Sequence, residues 1–158
     1  MNPMLITFIL IILWSSALGQ PRKKFHLDPE YDIHKIPPSD GEPLLVEASI
    51  NLSKILGVSE PEQLISLETS LRLYWRDSRV NPIDSFFESN DSLGPYISLN
   101  PDMAKQIWMP DIYIDKAKDV RKPAYFTQAA YLRLYNNSLI KYSARLNYDV
   151  ACPMDFCR

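Results

Sequence analysis

Alternation of apolar and polar side chains predicts two long β-strands in this chain. From Ile65 to Arg76 every second side chain is apolar, apart from Thr69, and the residues between them are mostly polar. A period of two places one set of side chains on each face of a strand. We therefore expect one face of this strand to lie in the core and the other in solvent. The same alternation runs from Ile140 to Cys152, within a strand predicted from Leu139 to Cys152.

A hairpin is predicted around the second of these strands. Residues 125–135 form the expected preceding strand, and Asn136-Asn137-Ser138 forms the turn between the two. Asparagine tolerates the positive φ angles that tight turns require.

Shorter elements are predicted elsewhere. Alternation in residues 46–53 indicates a half-buried strand, and the break at Ile55-Leu56-Gly57 indicates a bulge or turn. Residues 80–95 are rich in turn formers and are predicted to be a loop, followed by a short strand at Tyr96–Leu99. Asn100 is expected to cap a single helical turn that ends at Gln106, with proline at its first position.

These elements predict an all-β fold: an antiparallel two-sheet sandwich. The chain of 158 residues divides into a signal peptide (1–19), a proline-rich extended segment (20–43) and one domain (44–158). The apolar run of the signal peptide is followed by small residues, and it is too short for a membrane span of about 20 residues. No later segment is apolar enough to predict such a span.

Composition and motifs argue against several classes of function. The formal net charge is −2, from 17 basic and 19 acidic residues that do not gather into stripes, so neither nucleic acid nor an anionic membrane surface is an expected partner. Sequons at Asn51, Asn90 and Asn136 predict N-glycosylation in the secretory pathway. The chain has no phosphate loop, nucleophile elbow or metal-ligand spacing, so we expect a non-enzyme with no metal and no cofactor.

Short motifs then follow one another along the chain. They are Tyr31-Asp32 with Gly41-Glu42-Pro43, Trp75-Arg76-Asp77-Ser78-Arg79, Ile107-Trp108-Met109-Pro110-Asp111, Tyr142-Ser143-Ala144-Arg145 and Cys152-Pro153-Met154-Asp155-Phe156. In order and spacing they resemble the extracellular ligand-binding domain of Cys-loop ligand-gated ion channels. The Cys-Pro-Met-Asp stretch is similar to the anion-selective branch, which includes invertebrate chloride channels.

The resemblance implies an extracellular sandwich that forms a pentamer with homologous subunits and binds a small-molecule agonist between neighbours. In that family, membrane helices that follow this region form the pore. Because the family pattern stops after Phe156, we expect a chain truncated within the Cys-loop. Its sandwich would be incomplete, and the chain alone would be unstable or aggregation-prone.

The resemblance also assigns candidate ligand-binding residues. Tyr113 matches a position where some relatives place an aromatic that lines the agonist cage, and cation–π attraction would suit an ammonium group. Arg72 matches an arginine that grips an agonist carboxylate, for which a bidentate guanidinium is suited. Ser70 stands where those relatives usually have an aromatic. A packed tyrosine and a solvated strand arginine are the alternative interpretations. Arg133 and Tyr135 could face the same interface.

Architectural roles are expected for Trp75, Asp77, Trp108, Pro110 and Asp111. Proline fixes φ, and the aspartate beside it can bind backbone N–H groups at a tight corner.

Cys152 is the first cysteine of the Cys-loop by this resemblance, with its disulfide partner missing from the chain. A bond between Cys152 and Cys157 is the other arrangement of these two cysteines.

Two functions compete. The chain is interpreted as a ligand-binding-domain fragment of a channel subunit. The alternative is a secreted, truncated modulatory protein that acts as a decoy or assembly inhibitor. An unrelated immunoglobulin-like sandwich would need a cysteine pair linking two sheets, and that spacing is absent.

Overall fold

The computed structural model describes residues 24–39, 41–87, 89–123 and 130–153. The predicted signal peptide and Cys157 lie outside them. The described residues form nine strands and two short 3₁₀ helices. The strands are β1 (Phe25–Leu27), β2 (Glu47–Ser59), β3 (Leu64–Arg76), β4 (Val80–Pro82), β5 (Ser89–Asp91), β6 (Gly94–Leu99), β7 (Ala117–Arg121), β8 (Ala130–Tyr135) and β9 (Leu139–Ala151). The 3₁₀ helices are Asp84–Phe86 and Pro101–Lys105.

The strands form two antiparallel sheets, which confirms the predicted all-β fold class. The large sheet has the order β2-β3-β9-β8-β6-β5, and a small sheet pairs β1 with β4. Strand β9 pairs with β3 along its whole length. Its other edge is shared, because β8 pairs with residues 140–144 and β7 with residues 147–150. Strand β9 is therefore the element to which most of the sheet is joined.

The alternation in β3 and β9 predicted the core face correctly. Leu73 and Trp75 of β3 and Ile140 of β9 are buried, together with Leu132 and Leu134 of β8. The opposite face of β3 is less accessible to solvent than expected, because its side chains are half-buried except for the exposed Arg76.

Strand β2 contradicts the prediction that it is half-buried. Ile50, Leu52 and Ile55 are 56%, 53% and 57% exposed, although their strand pairs with β3 along its length. Their exposure shows that little packs over this end of the sheet. The predicted bulge is confirmed, since the register of β2 against β3 shifts between Ile55 and Gly57.

Two segments predicted to be irregular contain strands. The proline-rich segment holds β1, and the predicted loop at 80–95 holds β4, the first 3₁₀ helix and β5. Pairing of Leu27 with Val80 joins the two segments, and Val80 is completely buried. Strands of three residues are too short to show a period in the sequence.

The hairpin and the helix cap follow the sequence closely. Residues 136–138 connect β8 to β9, but the positive φ angle, 56°, lies at Ser138 and not at an asparagine. Residues 124–129 of the predicted strand lie outside the described residues. The cap is confirmed, because the Asn100 side chain accepts a hydrogen bond of 3.0 Å from the N–H of Asp102.

A buried corner follows the end of β3. The carboxylate of Asp77 is completely buried and accepts hydrogen bonds from Nε and Nη2 of Arg79 at 2.8 and 2.9 Å. The hydroxyl of Tyr31 lies 3.4 Å from the second carboxylate oxygen and accepts a 2.6 Å hydrogen bond from the N–H of Trp108. The rings of Trp75 and Trp108 meet edge to face, 6.4 Å apart. Tyr31 thus connects the two tryptophan motifs.

The contacts in this corner also raise the pKa values of Arg79 and Tyr31. The hydrogen bond from Arg79 to Asp77 raises the pKa of the guanidinium, and burial raises the pKa of Tyr31, with a further contribution from the charge of Asp77.

Pro110 and Asp111 lie apart from the corner. Pro110 is half-buried and Asp111 is exposed, and among the described residues no backbone N–H donates a hydrogen bond to the Asp111 carboxylate. The described hydrogen bond of this segment is instead the one from the Trp108 N–H to the Tyr31 hydroxyl.

We predict that Asp77→Asn lowers the free energy of unfolding by about 3–5 kcal/mol, because it leaves the largely buried Arg79 without its countercharge. Urea unfolding followed by tryptophan fluorescence measures the change. Asp111→Asn is the matched control and should stay within about 0.5 kcal/mol of the parent chain. Equal losses in the two variants would contradict the importance of the corner.

Candidate functional site

The candidate site lies on the face of the large sheet that points away from the core, which we call the polar face. Strand register aligns its side chains across β3, β9, β8 and β6. One row contains Arg72, Ser143 and Tyr131, the next contains Tyr74, Lys141, Arg133 and Ser98, and the last contains Tyr135 and Tyr96. Directly opposed side chains in such rows lie about 5 Å apart at Cβ.

Arg133 is enclosed between aromatic rings on the polar face. Its guanidinium carbon lies 4.3 Å from the ring centre of Tyr96 and 4.8 Å from that of Tyr131. A cation over an aromatic face is attracted by the ring quadrupole, by about 0.5–1 kcal/mol at an exposed site. Its Nη1 also lies 3.1 Å from the Asp91 carboxylate. These contacts hold Arg133 in place and neutralise its charge.

Asp91 joins the last strand of the sheet to this arginine. Its carboxylate accepts hydrogen bonds from the Leu93 N–H and the Tyr135 hydroxyl, both at 2.9 Å, in addition to Arg133. Desolvation raises the pKa of Asp91. The hydrogen bonds from Leu93 and Tyr135 and the nearby positive charges together lower this pKa by more than desolvation raises it, so the net shift is downward. We call Asp91, Arg133 and Tyr135 the Asp91 clamp.

Tyr135 was predicted to face an interface, and the structure places it beneath the surface. It is completely buried, packs against Tyr96 at 5.6 Å and donates its hydroxyl to Asp91. Burial, reinforced by the hydrogen bond to Asp91, raises its pKa to about 12. In this position Tyr135 supports Arg133 and cannot itself touch a ligand on the surface.

Arg72 differs from Arg133 in having an open guanidinium. It is half-buried in β3, between Ser49 of β2 and Ser143 of β9. Within the described residues its side chain makes no hydrogen bond or ion pair. Lys141, which lies 5.3 Å from the ring centre of Tyr74, adds a second positive charge to the same face.

Tyr113 is not brought together with the other candidates. It lies in the irregular segment between the second 3₁₀ helix and β7, and its side chain is 86% exposed. It has no ring or hydrogen-bond contact with the polar face among the described residues. If Tyr113 meets a ligand, it does so away from Arg72 of the same chain.

Sequence reasoning missed Asp91, Tyr96 and Tyr131. Tyr131 could have been found, because it precedes Arg133 and Tyr135 at a spacing of two in one strand. Asp91 and Tyr96 come from the region predicted to be a loop and a short strand, and only cross-strand pairing brings them to Arg133.

The remaining predicted residues lie on the surface or at the end of β9. Asn51, Asn90 and Asn136 are all exposed, as a glycosylation site must be. Cys152 is half-buried and has no disulfide partner among the described residues, and its N–H donates to the Gln63 carbonyl at 2.8 Å.

Two findings concern metals and membranes. Among the described residues, no group of three or more His, Cys, Asp or Glu side chains is placed to hold a metal ion. No helix in the same part of the chain is long and apolar enough to cross a membrane.

Comparison with known proteins agrees with this architecture. The family described as neurotransmitter-gated ion-channel ligand binding domain matches residues 22–158. The chain is similar to the gamma-aminobutyric acid receptor subunit beta-like of Drosophila melanogaster, with 29% identity over 129 residues, which cover 79% of the chain and 26% of that protein. It is also similar to the glutamate-gated chloride channel of the same organism, with 26% identity over 117 residues, covering 74% of the chain and 24% of that protein. The chain therefore spans about a quarter of the length of these relatives.

We predict that alkaline pH weakens the Asp91 clamp. The pKa of Tyr135 is raised in the folded chain, so its stabilising contribution is complete below pH 10 and is lost between about pH 10 and pH 12. At 1.36 kcal/mol per unit, the loss is about 2–3 kcal/mol. Urea unfolding across this range measures it.

Tyr135→Phe should remove this part of the pH dependence and destabilise the chain at pH 7 by about 1 kcal/mol, because Asp91 loses a donor. Tyr113→Phe, at an exposed position, should keep the parent's pH dependence. An unchanged slope in Tyr135→Phe would show that Tyr135 does not titrate as proposed.

Proposed function

The chain belongs to the neurotransmitter-gated ion-channel ligand-binding domain family, and we propose that its polar face binds a carboxylate-bearing amino-acid transmitter at a contact between neighbouring subunits. The open guanidinium of Arg72 carries this proposal. Relatives named for γ-aminobutyric acid and for glutamate support the ligand class, since both molecules combine a carboxylate with an ammonium group.

Arg72 would hold the transmitter carboxylate. A guanidinium binds a carboxylate through two parallel hydrogen bonds, which a lysine ammonium cannot reproduce. Ser143 lies beside Arg72 in the adjacent strand and offers a hydroxyl. Arg133 is already neutralised by Asp91 and would shape the pocket wall with Tyr131.

The ammonium group would be bound by another subunit. Ser70 leaves one side of Arg72 in β3 without an aromatic side chain, and Tyr74, on the other side, already faces Lys141. Tyr113, which is 86% exposed, could supply that aromatic face from the neighbouring subunit. The pentamer, the pore and the anion selectivity of a full-length receptor belong to this proposal.

We predict that Arg72→Gln weakens binding of γ-aminobutyric acid and of L-glutamate to the purified chain at least about tenfold, equivalent to about 1.4 kcal/mol. Arg72→Lys should lie between the parent and Arg72→Gln. Chemical-shift titration measures the affinities, with n-butylamine as a probe that lacks the carboxylate.

Arg121→Gln is the control, because Arg121 lies on β7 outside the site. n-Butylamine should bind far more weakly than either carboxylate probe. Parent-like affinity in Arg72→Gln would remove the basis of the proposal.

Exposure of β2 favours a second candidate function, a secreted modulatory protein. The predicted glycosylation sequons and the predicted signal peptide support passage through the secretory pathway. An apolar strip lies on β2, whose outer edge pairs with no other strand of the described residues; the strip consists of Ile50, Leu52, Ile55 and Val58. Such an edge can add to a strand of another chain. The partner would be a homologous subunit during assembly.

Co-expression with a full-length subunit of this family tests the modulatory function. We expect the parent chain to reduce agonist-evoked current and surface expression about twofold or more, because an apolar edge strand can pair with another chain. Leu52→Lys with Ile55→Lys should restore both, whereas Glu60→Lys, in the exposed turn after β2, should not. Undiminished current with the parent chain would exclude the modulator.

A further inference from the structure

A groove separate from Arg72 and the Asp91 clamp lies at one end of the large sheet. It has a volume of about 560 Å³ and is bounded on one side by Pro38, Leu44 and Leu45 and on the other by strand ends. Strand β2 begins there with Glu47, β3 ends with Arg76, and β9 begins with Leu139. We call it the Leu45 groove. Its size is within the range of about 300–1,000 Å³ that is usual for small-molecule sites.

The walls of the Leu45 groove are mainly apolar. Leu45 is 80% exposed, and Leu44, Leu139 and the ring of Tyr74 are half-buried around it. Trp75 also contributes to the wall, and its indole N–H is buried with no acceptor within the described residues. A leucine so exposed beside a concave surface would gain from being covered by an apolar molecule.

Two opposite charges stand at the rim of the groove. The Glu47 carboxylate is exposed and has no ion pair or hydrogen bond among the described residues. The guanidinium of Arg76 makes only a long contact, 3.4 Å, with the Asn137 carbonyl. Glu47 pairs with Tyr74, and Arg76 lies two residues further along the same face, so their Cα atoms are about 8 Å apart. They form no ion pair with each other in the described structure.

We propose that the Leu45 groove binds a small zwitterion with an apolar body, of the class of aromatic or aliphatic amino acids. Glu47 receives the ammonium group, Arg76 receives the carboxylate, and Leu44, Leu45 and Leu139 cover the side chain. The two charges favour a zwitterion over a simple amine or acid, because either of those would leave one rim charge without a partner.

Three matched probes test this site on the purified chain: L-phenylalanine, phenethylamine, which lacks the carboxylate, and 3-phenylpropionate, which lacks the ammonium group. Binding is followed by tryptophan fluorescence, because Trp75 lies in the groove wall. L-Phenylalanine should give a saturable change with an affinity about tenfold higher than either analogue, as expected for one added charged contact.

The variants separate the two charges. Glu47→Gln should lower L-phenylalanine affinity about tenfold and leave 3-phenylpropionate unchanged, whereas Arg76→Gln should lower L-phenylalanine affinity and leave phenethylamine unchanged. Glu62→Gln, at the far turn between β2 and β3, is the matched control and should bind like the parent. Circular dichroism checks that each variant is folded.

Three results would overturn the proposal: equal affinities for the three probes, loss of all three in Glu47→Gln, or no saturable fluorescence change. None of them bears on Arg72, so the agonist proposal stands or falls separately.

Discussion

The buried carboxylate of Asp77 is the constraint on which the other features of the structure depend. A charge without a partner in the interior is strongly destabilising, so Asp77 must keep Arg79 beside it. The Tyr31 hydroxyl near this carboxylate also accepts the N–H of Trp108, and the Asp77 N–H donates to the Ser138 carbonyl at 3.1 Å. One residue thereby connects the end of β3, the N-terminal segment, the Trp108 segment and the β8–β9 turn.

The polar face follows from that connection. Because β3 and the β8–β9 turn are held at the same corner, the register that places Arg72 beside Ser143 and Tyr74 beside Lys141 is set from one end of the sheet. The two arginines on this face differ in the residues that contact them. Arg133 is neutralised by Asp91 and enclosed by tyrosines, and Arg72 is left open. Two residues of the same type therefore have different chemical roles.

Local pattern was enough to predict the long strands, the Asn100 cap and the bulge after Ile55, since each depends on neighbouring residues. Arg72 and Arg133 could be selected as candidates from the family resemblance, but their different states could not, because Asp91 reaches Arg133 across 42 positions of sequence. The exposure of the apolar side chains of β2 could not be predicted from the sequence either. Alternation shows that a strand has an apolar face but not whether anything covers it. Ser138 takes the positive φ because the turn geometry, and not asparagine's preference, decides which residue occupies that position.

Strand β9 has a further consequence through its pairing with β3 on one edge and with β8 and β7 on the other. It acts as a ruler. Ser143, beside Arg72, and Cys152, directly after the end of β9, are nine positions apart on extended backbone, so they are separated by about 30 Å. A slip of β9 by one residue would turn every side chain to the opposite face, so the pairing also fixes the face on which Ser143 lies. The distance between the polar face and the Cys152 end is thus a fixed dimension of the molecule.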